Sequence, residues 1–197
     1  MEMIMEQFGF LFVGIVVVLF ALSIVLPRFF RKRYLDRLST CLIQRNYDAF
    51  DEWIERKQMK WIFAPFNIDF MKLNRALAAN DTELIQAAFD RFSHCHLSPK
   101  QEETVYYHGF YYYVSVRDQA QARRYGKLYA DLKGADPFVK EEMQKYYDVF
   151  INHSWDYIDE YEEMLKKAKE TERLKISMFL AKMYENKGDR KKAKACL

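Results

Sequence analysis

Glycine, proline and cysteine are all scarce in this chain, at six, four and three of 197 residues. The shortage of glycine leaves nowhere to build a phosphate cradle, and neither a P-loop nor a GxGxxG turn is present. GxSxG, HExxH and EF-hand patterns are missing as well, so no catalytic activity and no cofactor are expected. Cys41, Cys95 and Cys196 are odd in number and show no CxxC spacing, which fits a reduced compartment better than a disulfide framework. Excess charge of one sign is also lacking: from Tyr34 onward 27 Lys/Arg face 26 Asp/Glu. A body so close to neutral argues against a nucleic-acid partner bound through phosphate neutralisation.

What remains is rich in Lys, Glu, Ala and Leu, a composition that suits an all-α protein. Acidic pairs such as Glu102 with Glu103, and Glu141 with Glu142, read as solvated helix faces rather than acid/base pairs. The stretch "SHCH" sets His94, Cys95 and His96 side by side before Pro99. A structural zinc site wants four convergent ligands, and adjacent side chains at a helix end diverge, so no metal is expected there.

From Phe8 to Leu26 no residue is charged, and nineteen residues at about 1.5 Å each span roughly the hydrocarbon core of a bilayer. A cleaved signal peptide would need a basic n-region and a small-residue cleavage site, and "MEMIMEQ" and "LPRFFRKRY" supply neither. The expected division is a short extracytoplasmic tail at 1–7, a transmembrane helix at 8–27 and a basic juxtamembrane segment at 28–34. Arg28, Arg31, Lys32 and Arg33 flank the span and place the rest of the chain on the cytoplasmic side of a bacterial-type cell membrane. They could also attract anionic headgroups at about 1 kcal/mol per charge.

The four prolines, Pro27, Pro65, Pro99 and Pro137, lie 38, 34 and 38 residues apart, an even ladder of helix starts. Between them runs a second ladder of capping residues, Asn46, Asp81, Asp118, Ser154 and Asp189, at intervals of 35, 37, 36 and 35. Before each turn comes an apolar stripe: Leu35, Leu38, Leu42; Phe70, Leu73, Leu77; Tyr107, Phe110, Val114; Met143, Tyr146, Phe150; and Ser177, Leu180, Tyr184. After each turn an apolar residue stands four places past the cap, at Phe50, Ile85, Ala122, Ile158 and Ala193. A helical period inside a period near 36 predicts helical hairpins stacked as an α-solenoid over 35–197.

The last copy, "LAKMYENKGDRKKAKACL", places Leu180, Ala181, Tyr184, Gly188, Asp189 and Ala193 where the tetratricopeptide repeat (TPR) has its Leu, small residue, Tyr, Gly, Asp and Ala. The chain resembles that family over about residues 34–197, with four to five hairpins. It departs at the small position of the first helix, which holds Tyr111 and Tyr147 in two central copies. The resemblance implies a concave groove for an extended peptide or partner helix. It assigns to that groove Asp36, Thr40, Arg75, His108, Tyr112, Gln144 and Asp148, with Ile43, Met71, Ala78, Ser115 and Ile151 beside them.

The implied function is that of a single-pass membrane adaptor, scaffold or assembly factor with a protein or peptide partner. A second copy could cover the exposed C-terminal end of the array. An extracytoplasmic envelope-binding module of reversed topology is the alternative, and a nucleic-acid binder or cryptic enzyme a third reading.

Overall fold

A computed structural model describes residues 28–196. The expected tail 1–7 and transmembrane helix 8–27 lie outside the described residues, as does Leu197. Among the described residues all regular structure is α-helical, in line with the expected class, and no helix there is long and apolar enough to cross a membrane. Helix α1 occupies 28–43 and runs through the basic residues 28–34 without a break. There follow α2 (Tyr47–Ile54), α3 (Lys57–Ile62), α4 (Pro65–Ala79), α5 (Thr82–His94) and α6 (Pro99–Ser115). The chain continues through α7 (Gln119–Ala130), α8 (Pro137–Phe150), α9 (Ile158–Lys167), α10 (Glu170–Lys187) and α11 (Arg190–Ala195). Pro65, Pro99 and Pro137 each open a helix, where the missing N–H costs nothing. Chain contacts divide the molecule into two compact units, Met1–His94 and Cys95–Leu197.

Five turns share one backbone design. Arg45, Asn80, Arg117, His153 and Gly188 all adopt the left-handed conformation, with φ between 54° and 84°. Each stands immediately before one of the five capping residues. Asn46, Asp81, Asp118 and Asp189 then accept a hydrogen bond from the N–H three residues on, at 3.0–3.1 Å. Their own N–H groups donate back to Cys41, Ala76, Tyr113 and Tyr184 carbonyls at 2.8–3.0 Å, closing the preceding helix in a Schellman-type bond. The fourth turn is looser: Ser154 N–H donates to Asp148 O, one residue further back, and α9 begins only at Ile158. Ser154 is therefore a turn residue, bonded to Asp156, and not an N-cap.

The residue four places past each cap is buried in all five copies: Phe50, Ile85, Ala122, Ile158 and Ala193. In the first unit Phe50 joins Leu38, Ile54, Met59 and Phe63 in one core cluster. In the second, Ile158 and Ala193 join Val149, Ile176, Phe179, Leu180, Met183 and Tyr184.

The first-helix stripes fare less evenly. Leu38, Leu73, Phe110, Val114, Met143, Leu180 and Tyr184 are buried as expected, but Leu35 is 40% exposed and Tyr107 36% exposed. Tyr107 is displaced because the buried arc of α6 is centred on Val105, Gly109 and Tyr113. Two glycines set that arc. A Cβ on Gly109 would lie 2.5 Å from the Tyr125 ring, and one on Gly126 would lie 3.3 Å from the Phe110 ring. On each helix a glycine thus receives the ring that stands beside the other helix's glycine, and α6 and α7 close to a separation that any larger residue at 109 would open.

Helix α3 has no counterpart in the expected repeat. It buries Met59 completely and leaves Trp61 93% exposed.

Candidate functional site

The residues assigned to the groove have divergent fates. On α1, Asp36 and Thr40 are exposed and share a side, the Thr40 hydroxyl donating to Asp36 O at 2.8 Å. On α8, Gln144 is exposed, and His108 on α6 is half-buried, its pKa pushed below the usual value by burial.

Three of the assigned residues are turned to structural work. Arg75 keeps only 15% of its side-chain area exposed, because it reaches back to α2: it pairs with Asp51 at 2.7 Å and lies over the Tyr47 ring. Tyr112 is 8% exposed and belongs to the buried arc of α6 together with Val105, Gly109 and Tyr113. Asp148 is saturated, accepting from Gln144 (3.0 Å), Asn152 (2.9 Å) and Tyr157 (2.9 Å), so it fastens the α8–α9 turn. Burial, followed by that bond to Asp148, holds the Tyr157 hydroxyl up at about 12. Ile151, expected beside the groove, is likewise buried.

Each unit carries a cleft between the helix that follows a capped turn and the proline-started helix after it. In the first unit, residues of α2, α4 and α5 enclose about 200 Å³. Three ion pairs cross it: Lys72 to Glu55 (2.5 Å), Arg75 to Asp51 (2.7 Å) and Arg91 to Asp69 (2.9 Å). The cleft between α7 and α8 of the second unit is about 410 Å³. Phe110, Ala122, Gly126, Met143 and Tyr147 form its apolar lining. Arg123 and Lys127 stand exposed on its α7 wall, and neither pairs with a carboxylate among the described residues. From α8 Lys140 donates to Ala130 O at 2.6 Å, leaving its remaining protons to the opening. Further along α8, Lys145 is held between Glu141 and Glu160, each at 2.7 Å. Burial alone would lower its pKa, but the two carboxylates outweigh that and raise it.

Arg123, Lys127 and Lys140 escaped the sequence reading, which followed the first-helix column alone. A signal was present: α7, "QAQARRYGKLYA", has three cations and no carboxylate. Of the assigned residues, only Gln144 lines this cleft.

Of the residues expected to flank a membrane span, Arg28, Lys32 and Arg33 are exposed, while Arg31 donates to Ile62 O at 3.1 Å. At "SHCH", His94 ends α5 with Nδ1 2.8 Å from Asp90 O, and Cys95 and His96 are exposed beyond it. Among the described residues no three His, Cys, Asp or Glu side chains gather as metal ligands. No family model, curated protein or solved structure matches the chain.

Proposed function

We propose that this chain is a single-pass membrane protein whose TPR-like helical hairpins act as a protein–protein interaction module, an adaptor, scaffold or assembly factor, at the cytoplasmic face. The observation that carries the reading is the left-handed turn repeated five times, each copy setting a buried residue five places past the left-handed one. Hairpins of this kind expose helix faces and clefts instead of a catalytic pocket. The uncharged run Phe8–Leu26 supplies the anchor and the basic residues after it the orientation. Tethering would raise a partner's local concentration at the membrane without any added contact.

The α7–α8 cleft is the docking site in this reading. Cations without acidic partners around an apolar floor suit an acidic segment carrying apolar side chains. A photo-crosslinking residue placed at Arg123 of the full chain in its native membrane should capture a partner protein, and Lys127→Glu should abolish that capture. Capture that is unchanged by Lys127→Glu, or is equally efficient from the exposed position Glu83, overturns the assignment of the cleft. Topology is tested separately through Cys95, the exposed thiol. Ready labelling of Cys95 by a membrane-impermeant reagent in intact cells would overturn the cytoplasmic placement and favour the reversed one.

A further inference from the structure

The first unit has a surface that neither the repeat nor the cleft explains. Helix α3 interrupts the regular succession of hairpins, and its outward side consists of Lys57, Gln58, Lys60 and Trp61. Trp61, at 93% exposure, is covered by nothing within its own unit. A lone exposed tryptophan is unremarkable by itself. Its position is what matters. Arg31 of α1 donates to Ile62 O at 3.1 Å and lies over the ring of Phe63, 5.7 Å from its centroid. The backbone beside Trp61 is therefore bound to the first described turns of α1, where Phe29 and Phe30 are 58% and 43% exposed and Arg28, Lys32 and Arg33 are exposed as well.

Charges around this surface are mostly of one sign. Asp36 is the carboxylate nearest in sequence on α1, and the neighbouring acids Glu52 and Glu55 are already paired with Arg56 and Lys72. Trp53 underlies two further guanidinium groups, those of Arg37 and Arg56, at 4.7 and 3.5 Å from its ring. Aromatic side chains with a polar or amphipathic edge favour the headgroup layer of a bilayer, and Lys and Arg beside it are attracted to anionic lipid.

We infer that α3 and the start of α1 together form a lipid-docking face, which lays the first unit against an anionic bilayer with Trp61 in the headgroup layer and Lys57 and Lys60 on lipid phosphates. The inference rests on the membrane-anchor reading, because the uncharged run ends at Leu26 and Pro27 alone separates it from Arg28. Arg31 is a positioning residue here: its bond to Ile62 O is spent within the protein and fixes α3 beside the membrane-proximal turn.

The test uses the full chain reconstituted in phosphatidylcholine vesicles with and without about 30% phosphatidylglycerol. Lipids brominated on the acyl chains near the headgroup quench a tryptophan that enters the interface. Subtracting the emission of Trp61→Phe isolates this residue from Trp53 and Trp155, and circular dichroism confirms that the exposed substitution leaves the fold intact. The expected result is loss of most Trp61 emission in anionic vesicles only, reversed by high salt and by Lys57→Gln with Lys60→Gln. Flotation with neutral vesicles in high salt reads the anchor independently. Chain that floats while Trp61 stays unquenched overturns the docking face and leaves the anchor standing. Quenching equal in neutral and anionic vesicles overturns the anionic-lipid assignment. Chain that fails to float in high salt overturns the anchor and the docking built on it.

Discussion

The α2–α4–α5 cleft of the first unit and the α7–α8 cleft of the second lie at the same station of the hairpin succession, yet their charges are arranged in opposite ways. In the first, every cation named on the walls meets a carboxylate across the gap, Lys72 with Glu55, Arg75 with Asp51 and Arg91 with Asp69. The second has twice the volume, and Arg123 and Lys127 have no acid to meet. Ion pairs spanning two helices satisfy each other and tie the walls of the first cleft together, weakly at the exposed pairs and more firmly at the mostly buried Arg75. Arg123 and Lys127 add no such tie across the second cleft, which is why the proposed function places a ligand there. One backbone plan thus yields a fastened joint or an open one, depending on whether opposing helices carry complementary charge.

The contrast can be broken most forcefully at the floor of the open cleft. Phe110→Ala removes a ring that is 2% exposed and is expected to cost about 3–5 kcal/mol, read as a fall in the urea midpoint of unfolding. A cost below about 1 kcal/mol would mean that the α6–α7 interlock is not what holds the floor in place. Next in size is Arg75→Ala in the closed cleft. It deletes a mostly buried guanidinium bonded to Asp51 and stacked on Tyr47, and should cost about 1–3 kcal/mol. The turns offer a control. Arg45→Gly in the first unit and Arg117→Gly in the second should each stabilise by up to about 1 kcal/mol, because glycine adopts φ near 55–60° without the Cβ penalty. Unequal effects would show that the two units differ in backbone as well as in charge. The smallest effect belongs to Arg123→Ala, expected within about 0.5 kcal/mol of the parent protein in the same unfolding measurement. If it destabilised as much as Arg75→Ala, the second cleft would be a fastened joint too.

The helical class and the turn ladder were legible because they depend on local chemistry. Proline opens helices wherever it occurs, and Asn or Asp before an amphipathic run caps it, so Pro65, Pro99, Pro137, Asn46, Asp81, Asp118 and Asp189 stand where their residue types put them. The column four past the cap was equally legible, since one apolar residue at a fixed offset from a fixed cap can face only one way.

The structural roles of Arg75, Tyr112 and Asp148, all assigned to the groove, were not legible, and the reasons are specific. Gly109 lets the Tyr125 ring of α7 approach α6, and the buried arc on that side includes Tyr112 and leaves Tyr107 36% exposed, a tertiary effect no stripe in α6 announces. Arg75 and Asp148 read as exposed charges because their partners, Asp51 on α2 and Tyr157 in the turn before α9, lie at separations that pattern reasoning does not connect. Helix α3 went unseen because six residues with a single buried side chain, Met59, are too short for a period to show.

The left-handed residues of the five repeated turns constrain how this protein can change over time. Arg45, Asn80, Arg117, His153 and Gly188 have little in common chemically, and all are exposed. What recurs is a dihedral angle and not a letter, so these sites impose a rule of exclusion. Valine, isoleucine, threonine and proline are kept out by their own stereochemistry. Almost any other side chain can be exchanged at a modest conformational cost, and the hairpins would keep their metre while its spelling drifts.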